Sequence, residues 1–254
     1  MNKKILSIST RLGIKLLSGC LLTLMLANTV IAAYTPPPNP SRPKGPVASG
    51  GTRGGCSGNK ETSLTTLAPI SHIGKTVFQQ PTFAWFVPDT KPYPMELSIY
   101  EYSSNGKGKQ IKSFDIISQP GIMKFSIPKD EFSFSAGKKY LWQIAILCDT
   151  NSPSKDLFAE AIIEVVPMPN NLASQISRTT NSIQKAQIYA REGIWYDVLT
   201  ETLKLPQNQE SKLTLLEQLS DLEAKTVTNS PDLLKQNIQN QALQLQKIVR
   251  NERQ

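Results

Sequence analysis

The stretch Lys139-Tyr-Leu-Trp-Gln-Ile-Ala-Ile-Leu-Cys148 puts Tyr140, Trp142, Ile144, Ile146 and Cys148 at every second position. A period of two is the mark of a strand with one face turned to a core. Reading outward, Thr82–Val87 is a short aromatic run bounded by Pro81 and Pro88, and Met95–Tyr102 alternates with Met95, Leu97 and Ile99 on one face. Asn105-Gly106 tolerates positive φ at both positions and predicts a tight hairpin into the returning strand Gln110–Ile117. Ile122–Ile127 follows Pro120-Gly121, and Leu157–Val166 is a nearly continuous apolar run. With Leu64–Leu67 these make about seven short strands between residues 61 and 167, without a helical pattern among them, which predicts a β-sandwich.

After Pro167 the period changes from two to near 3.6. Ile183, Ala190, Ile194 and Val198 share a helical face, with Gly193 marking a break. Leu213, Leu216, Leu219 and Leu222 mark a second helix. Pro231-Asp232 opens a last one, in which Leu234, Ile238, Leu245 and Ile248 form a seam and Gln241 fills the intervening position. Packing against the preceding helices is expected in preference to a coiled-coil partner. The class is therefore α+β overall, with a mainly β part at 61–167 and a helical subdomain at 168–254.

The first 60 residues are of another kind. Lys3, Lys4, Arg11 and Lys15 precede an uncharged stretch from Leu16 to Ala33 that closes on small residues, the composition of a secretory signal peptide over 1–33. Cleavage is expected at Ala32 or Ala33, leaving no membrane span. Residues 34–60 are rich in Pro and Gly and predict a solvated linker. The net charge of +8 lies wholly ahead of residue 61, since the remainder holds as many acids as bases. A folded part without net basic charge argues against nucleic acid as a partner. Removal of the signal removes Cys20 and leaves Cys56 and Cys148, which in an oxidising compartment predict one disulfide.

Pro81-Thr-Phe-Ala-Trp85 and Lys139-Tyr-Leu-Trp142-Gln-Ile resemble the Pro-x-Phe-x-Trp and Tyr-x-Trp-x-Val strands of fibronectin-type-III-like modules. That resemblance implies an immunoglobulin/fibronectin-III-like sandwich with Trp85 and Trp142 in its core. Further marks are Gly51-Thr-Arg-Gly-Gly-Cys56, Leu64-Thr-Thr-Leu-Ala-Pro69, Pro81-Thr-Phe-Ala-Trp-Phe-Val-Pro88, Pro120-Gly-Ile-Met, Gly137-Lys-Lys-Tyr-Leu-Trp142, Leu147-Cys-Asp149 and Ala190-Arg-Glu-Gly-Ile-Trp-Tyr-Asp197. With these, from about Gly51 to about Leu205, the chain resembles the cyanobacterial exported family catalogued as domain of unknown function 928. The resemblance implies a cyanobacterial envelope protein and brings no assigned reaction.

Catalytic chemistry finds little support in the sequence. His72 is the single histidine and lies in Pro69-Ile-Ser-His-Ile-Gly74, read as a solvated loop. No paired His or Cys spacing predicts a metal site, and no cofactor motif is present. A carbohydrate hydrolase using paired carboxylates is the alternative, with Asp149 or the pair Glu192 and Asp197 as candidates. On a helix, positions 192 and 197 diverge. Adjacent helical residues also point about 100° apart. Trp195 is therefore expected to anchor the junction between the two parts, while Tyr196 with Glu192 borders a ligand cleft. The reading is an exported binding or assembly module of the cell envelope, in the periplasm, outer envelope or medium, whose partner is an envelope protein or polysaccharide.

Overall fold

The computed structural model describes residues 33–44, 47, 55–57, 61–149, 151–205, 209–227 and 232–254. Most of the expected signal peptide and much of the Gly-rich segment, including Arg53 and Lys60, lie outside the described residues. Among the described residues there are eight strands: β1 (Thr65–Thr66), β2 (Gly74–Thr76), β3 (Thr82–Val87), β4 (Pro94–Ser103), β5 (Gly106–Ile117), β6 (Gly121–Ser126), β7 (Lys139–Ile146) and β8 (Leu157–Val165). Five α-helices are described after them: α1 (Asn170–Ser177), α2 (Ser182–Arg191), α3 (Trp195–Leu203), α4 (Gln209–Thr226) and α5 (Asp232–Glu252). The fold is α+β.

The strands form a three-stranded sheet in the order β1-β3-β6 and a five-stranded sheet in the order β2-β8-β7-β4-β5. Alternation in β7 does what its sequence predicts, with Tyr140, Trp142, Ile144 and Ile146 all buried. The two sheets meet through aromatic rings. Phe83 on β3 lies 4.9 Å from Trp142 on β7, and Phe114 on β5 lies 5.2 Å from Phe125 on β6. β2 was not expected from the sequence. It is three residues long, too short to show a period, and pairs in parallel with β8 from Gly74↔Ile163 to Thr76↔Val165. The hairpin is also tighter than read: Ser103 pairs with Gly106, and Gly106 alone takes positive φ, at 87°.

Gly193, with φ 71°, ends α2 where the sequence placed a break, and Ile194 N–H donates back to the Tyr189 carbonyl at 3.0 Å. The seam of α5 packs inward, with Leu234, Ile238, Leu245 and Ile248 buried. Gln241 is buried among them. Its amide donates to the carbonyls of Thr66 (3.3 Å) and Ala68 (2.6 Å), so the polar seam position covers the edge strand β1. No helix among the described residues is long and apolar enough to cross a membrane.

The segment expected to be a solvated linker is, in its described part, a belt packed on the body. Tyr34 is buried, its N–H donates to Gln218 Oε1 (3.0 Å), and Thr35 N–H donates to the Ala190 carbonyl (3.0 Å). Further along, Ile73 N–H donates to the Ser41 carbonyl (2.8 Å), and the Lys44 backbone bonds the Tyr102 hydroxyl through both its N–H and its C=O. Val47 is buried, and its carbonyl accepts from Asn237 Nδ2 (2.9 Å). Composition misleads here because proline lowers the entropy cost of ordering a chain, and two apolar anchors with backbone bonds then suffice to seat it.

Candidate functional site

Trp195 and Tyr196 begin α3, and both are fully buried. Trp195 Nε1–H donates to the Leu67 carbonyl (3.1 Å), and its ring meets Tyr34 edge-on at 4.9 Å. Trp142 Nε1–H donates to the Tyr196 hydroxyl (2.8 Å), whose own hydrogen goes to the Ile162 carbonyl (3.1 Å). Tyr196 therefore ties α3 to β7 and β8 and has no edge on a cleft. Glu192 is exposed at the C-cap of α2, so the structure does not bring it together with Tyr196. A separation of about 100° leaves one of two adjacent rings wet only where the helix has a face open to solvent. α3 packs on β2, β3, α2 and α4, and both directions lead into the core. Trp85 is likewise fully buried.

The carboxylate candidates also separate. Asp197 is buried and accepts from Val77 N–H (3.2 Å), far in character from exposed Glu192. Burial first, and nearby Glu201 second, push the Asp197 carboxyl up to about 8. Asp197 Oδ1 and the Tyr189 hydroxyl, both buried, have no hydrogen-bond partner among the described residues. Asp149 pairs with Lys155 at 2.9 Å on the surface, and that bond lowers its pKa. Among the described residues no group of three His, Cys, Asp or Glu side chains is placed to hold a metal ion.

His72 is the largest departure from the sequence reading. It is buried rather than solvated, because α4 returns over its loop. Its Nε2 shares a hydrogen bond with the Tyr34 hydroxyl (3.0 Å), and its Nδ1 meets Ser71 Oγ (3.2 Å). Ser71 Oγ donates to Glu223 Oε1 (3.1 Å), which also accepts from Ile70 N–H (3.0 Å). Serine, histidine and glutamate thus lie in one chain, but not as a nucleophilic triad. The carboxylate holds the serine rather than the imidazole, both ring nitrogens are occupied, and Ser71 is 2% exposed. The chain is a latch that joins the belt, the β1–β2 loop and α4.

Burial sets the titration of this latch. Desolvation pushes Glu223 up to about 7 and His72 down to about 4. An acid whose folded pKa is raised weakens the fold as pH climbs from its unfolded to its folded value. For Asp197 that window runs from 3.8 to about 8, and for Glu223 from 4.5 to about 7. His72 acts oppositely, adding stability as pH rises from about 4 to 6.5. Above 6.5 only the two acids remain, so the melting temperature should fall between pH 6.5 and 8, and Asp197→Asn should flatten the upper part of that fall. A melting temperature that rises over this range in calorimetry would contradict the assignment.

Two open features flank this core. At one, Cys56 and Cys148 form a disulfide with Cα atoms 5.3 Å apart. Its loop is held by the buried Asp89 carboxylate, which accepts from Cys56 N–H (3.0 Å), Ser57 N–H (2.9 Å) and Ser57 Oγ (2.8 Å). A Cβ at Gly55 would stand 2.3 Å from Asp89 Oδ1, so this approach requires glycine. At the other, a groove of about 560 Å³ opens between the β4–β5 hairpin, the start of β7 and the loop that precedes it. Tyr102, Ile111, Phe132 and Tyr140 supply its apolar lining, and Lys138 stands on its rim. The hairpin and the separate stretch from Phe132 to Tyr140 build it together, so neither period nor motif signals it.

A family model described as Domain of Unknown Function (DUF928) matches residues 48–238. No curated protein and no solved structure matches the chain.

Proposed function

The chain belongs to the DUF928 family, and from that premise we propose that it is an exported cell-envelope protein that binds an envelope polymer or partner protein through the groove beside the β4–β5 hairpin. The observation that carries the reading is the Cys56–Cys148 bridge. Both cysteines are only half-buried, and such a bond persists where the surroundings are oxidising. The basic and apolar composition of residues 1–33 supports export. So does the belt, whose first buried side chain, Tyr34, directly follows the expected cleavage positions Ala32 and Ala33. The resemblance to exported cyanobacterial proteins favours the envelope of such a cell. An open, partly aromatic concavity of this size is in the range of ligand sites.

Co-sedimentation of the processed, oxidised protein with purified envelope material tests this function. The protein should pellet with the envelope, and an Ile111→Asp/Phe132→Ala variant of unchanged oxidation state should stay in the supernatant. Equal pelleting of both would remove the groove from the account.

A further inference from the structure

The geometry points to an acidic polysaccharide, a chain of sugars bearing carboxylates, as the ligand class of this groove. The inference rests on the reading that the groove is the binding site. Its lining joins aromatic surface to positive charge. Phe132 is held at right angles to Phe134 (88°) and Tyr140 (90°), so the ring is fixed before any ligand arrives. Lys138 is exposed on the rim. Lys44, also exposed, is fastened beside the groove by its two backbone bonds to Tyr102. Neither lysine meets a carboxylate among the described residues, whereas the lining acid Glu101 is already paired with Lys109 (3.8 Å). Lys138 on the rim and Lys44, whose backbone is bonded to the lining Tyr102, thus bring positive charge to an aromatic wall.

That pairing suits a uronate-type sugar, whose C–H faces lie on aromatic rings while its carboxylate meets an ammonium. An extended acidic peptide fits less well, because it needs a regular free strand edge. Beside the groove the β4–β5 ladder shifts register between Ile99 and Tyr100 and again between Tyr100 and Tyr102. An ion pair from Lys112 to Glu131 (3.2 Å) also draws the neighbouring loop onto β5.

Titration calorimetry of the oxidised, processed protein with polygalacturonate oligomers, dextran oligomers and poly-glutamate tests the inference. Polygalacturonate should bind, and dextran should not. Lys138→Glu should weaken binding about tenfold, and added salt should weaken it further. Lys138 is exposed, so this variant keeps its fold, and an unchanged disulfide and near-ultraviolet circular dichroism check that. Equal affinity of Lys138→Glu, equal binding of dextran, or poly-glutamate binding as tightly as polygalacturonate would each overturn the acidic-sugar assignment. Absence of polygalacturonate binding overturns it while leaving the groove in place, provided that wild type but not the Ile111→Asp/Phe132→Ala variant still pellets with the envelope. Loss of that pelleting difference as well would remove both.

Discussion

Trp195→Ala should lower the stability of the protein by about 3–5 kcal/mol, the range for truncating a fully buried large aromatic. The ring is completely enclosed, stacks edge-on against Tyr34 at 4.9 Å and donates to the Leu67 carbonyl. Its removal opens a cavity where the belt, α3 and the three-stranded sheet meet. Tyr196→Phe, at a residue that the sequence places beside a ligand cleft and the structure places in the core, should cost about 1–3 kcal/mol, because it leaves buried polar groups unsatisfied. Those groups are Trp142 Nε1–H and the Ile162 carbonyl, both now served by the Tyr196 hydroxyl. Urea titrations of the two variants measure both costs. A Trp195→Ala loss below that of Tyr196→Phe would contradict the packing described for α3.

The strands were legible because each carries its own period. β3, β4, β7 and β8 follow their sequence readings to within a residue or two, and the seam of α5 packs as its spacing implies. What escaped the sequence depends on contacts made at long range. The environment of His72 is set by Glu223 and Ser71, 152 positions apart. That of Tyr34 is set by Gln218 and Gly193, 184 and 159 positions away. A loop histidine and a proline-rich tail look solvated until those helices return over them. Tyr196 was misplaced for a related reason: a helical projection assigns directions, but only the surrounding elements decide which of them are wet. The groove combines a hairpin end, a loop and a strand start, and no one-dimensional pattern joins these.

Replacing both cysteines, Cys56→Ser with Cys148→Ser, should destabilise the protein by about 2–4 kcal/mol, below the ~4.6 kcal/mol that chain entropy alone assigns to a closure of this length. The bridge spans 92 residues, so it greatly restricts the unfolded chain. In the folded state Asp89 still holds the Cys56–Ser57 backbone, so the native loop should persist and the loss should appear mainly through the unfolded state. A reductant should have the same effect on wild type and none on the double variant.

The same bond gives the most direct test of export. The full-length chain is expressed with its own N-terminus, recovered from the envelope fraction, alkylated under denaturing conditions without reductant, and weighed intact. The account predicts a protein beginning at Ala33 or Tyr34, two hydrogens lighter than its dithiol form and free of alkyl groups. A protein beginning at Met1, with its cysteines alkylated as free thiols and recovered from the cytosol, would contradict it.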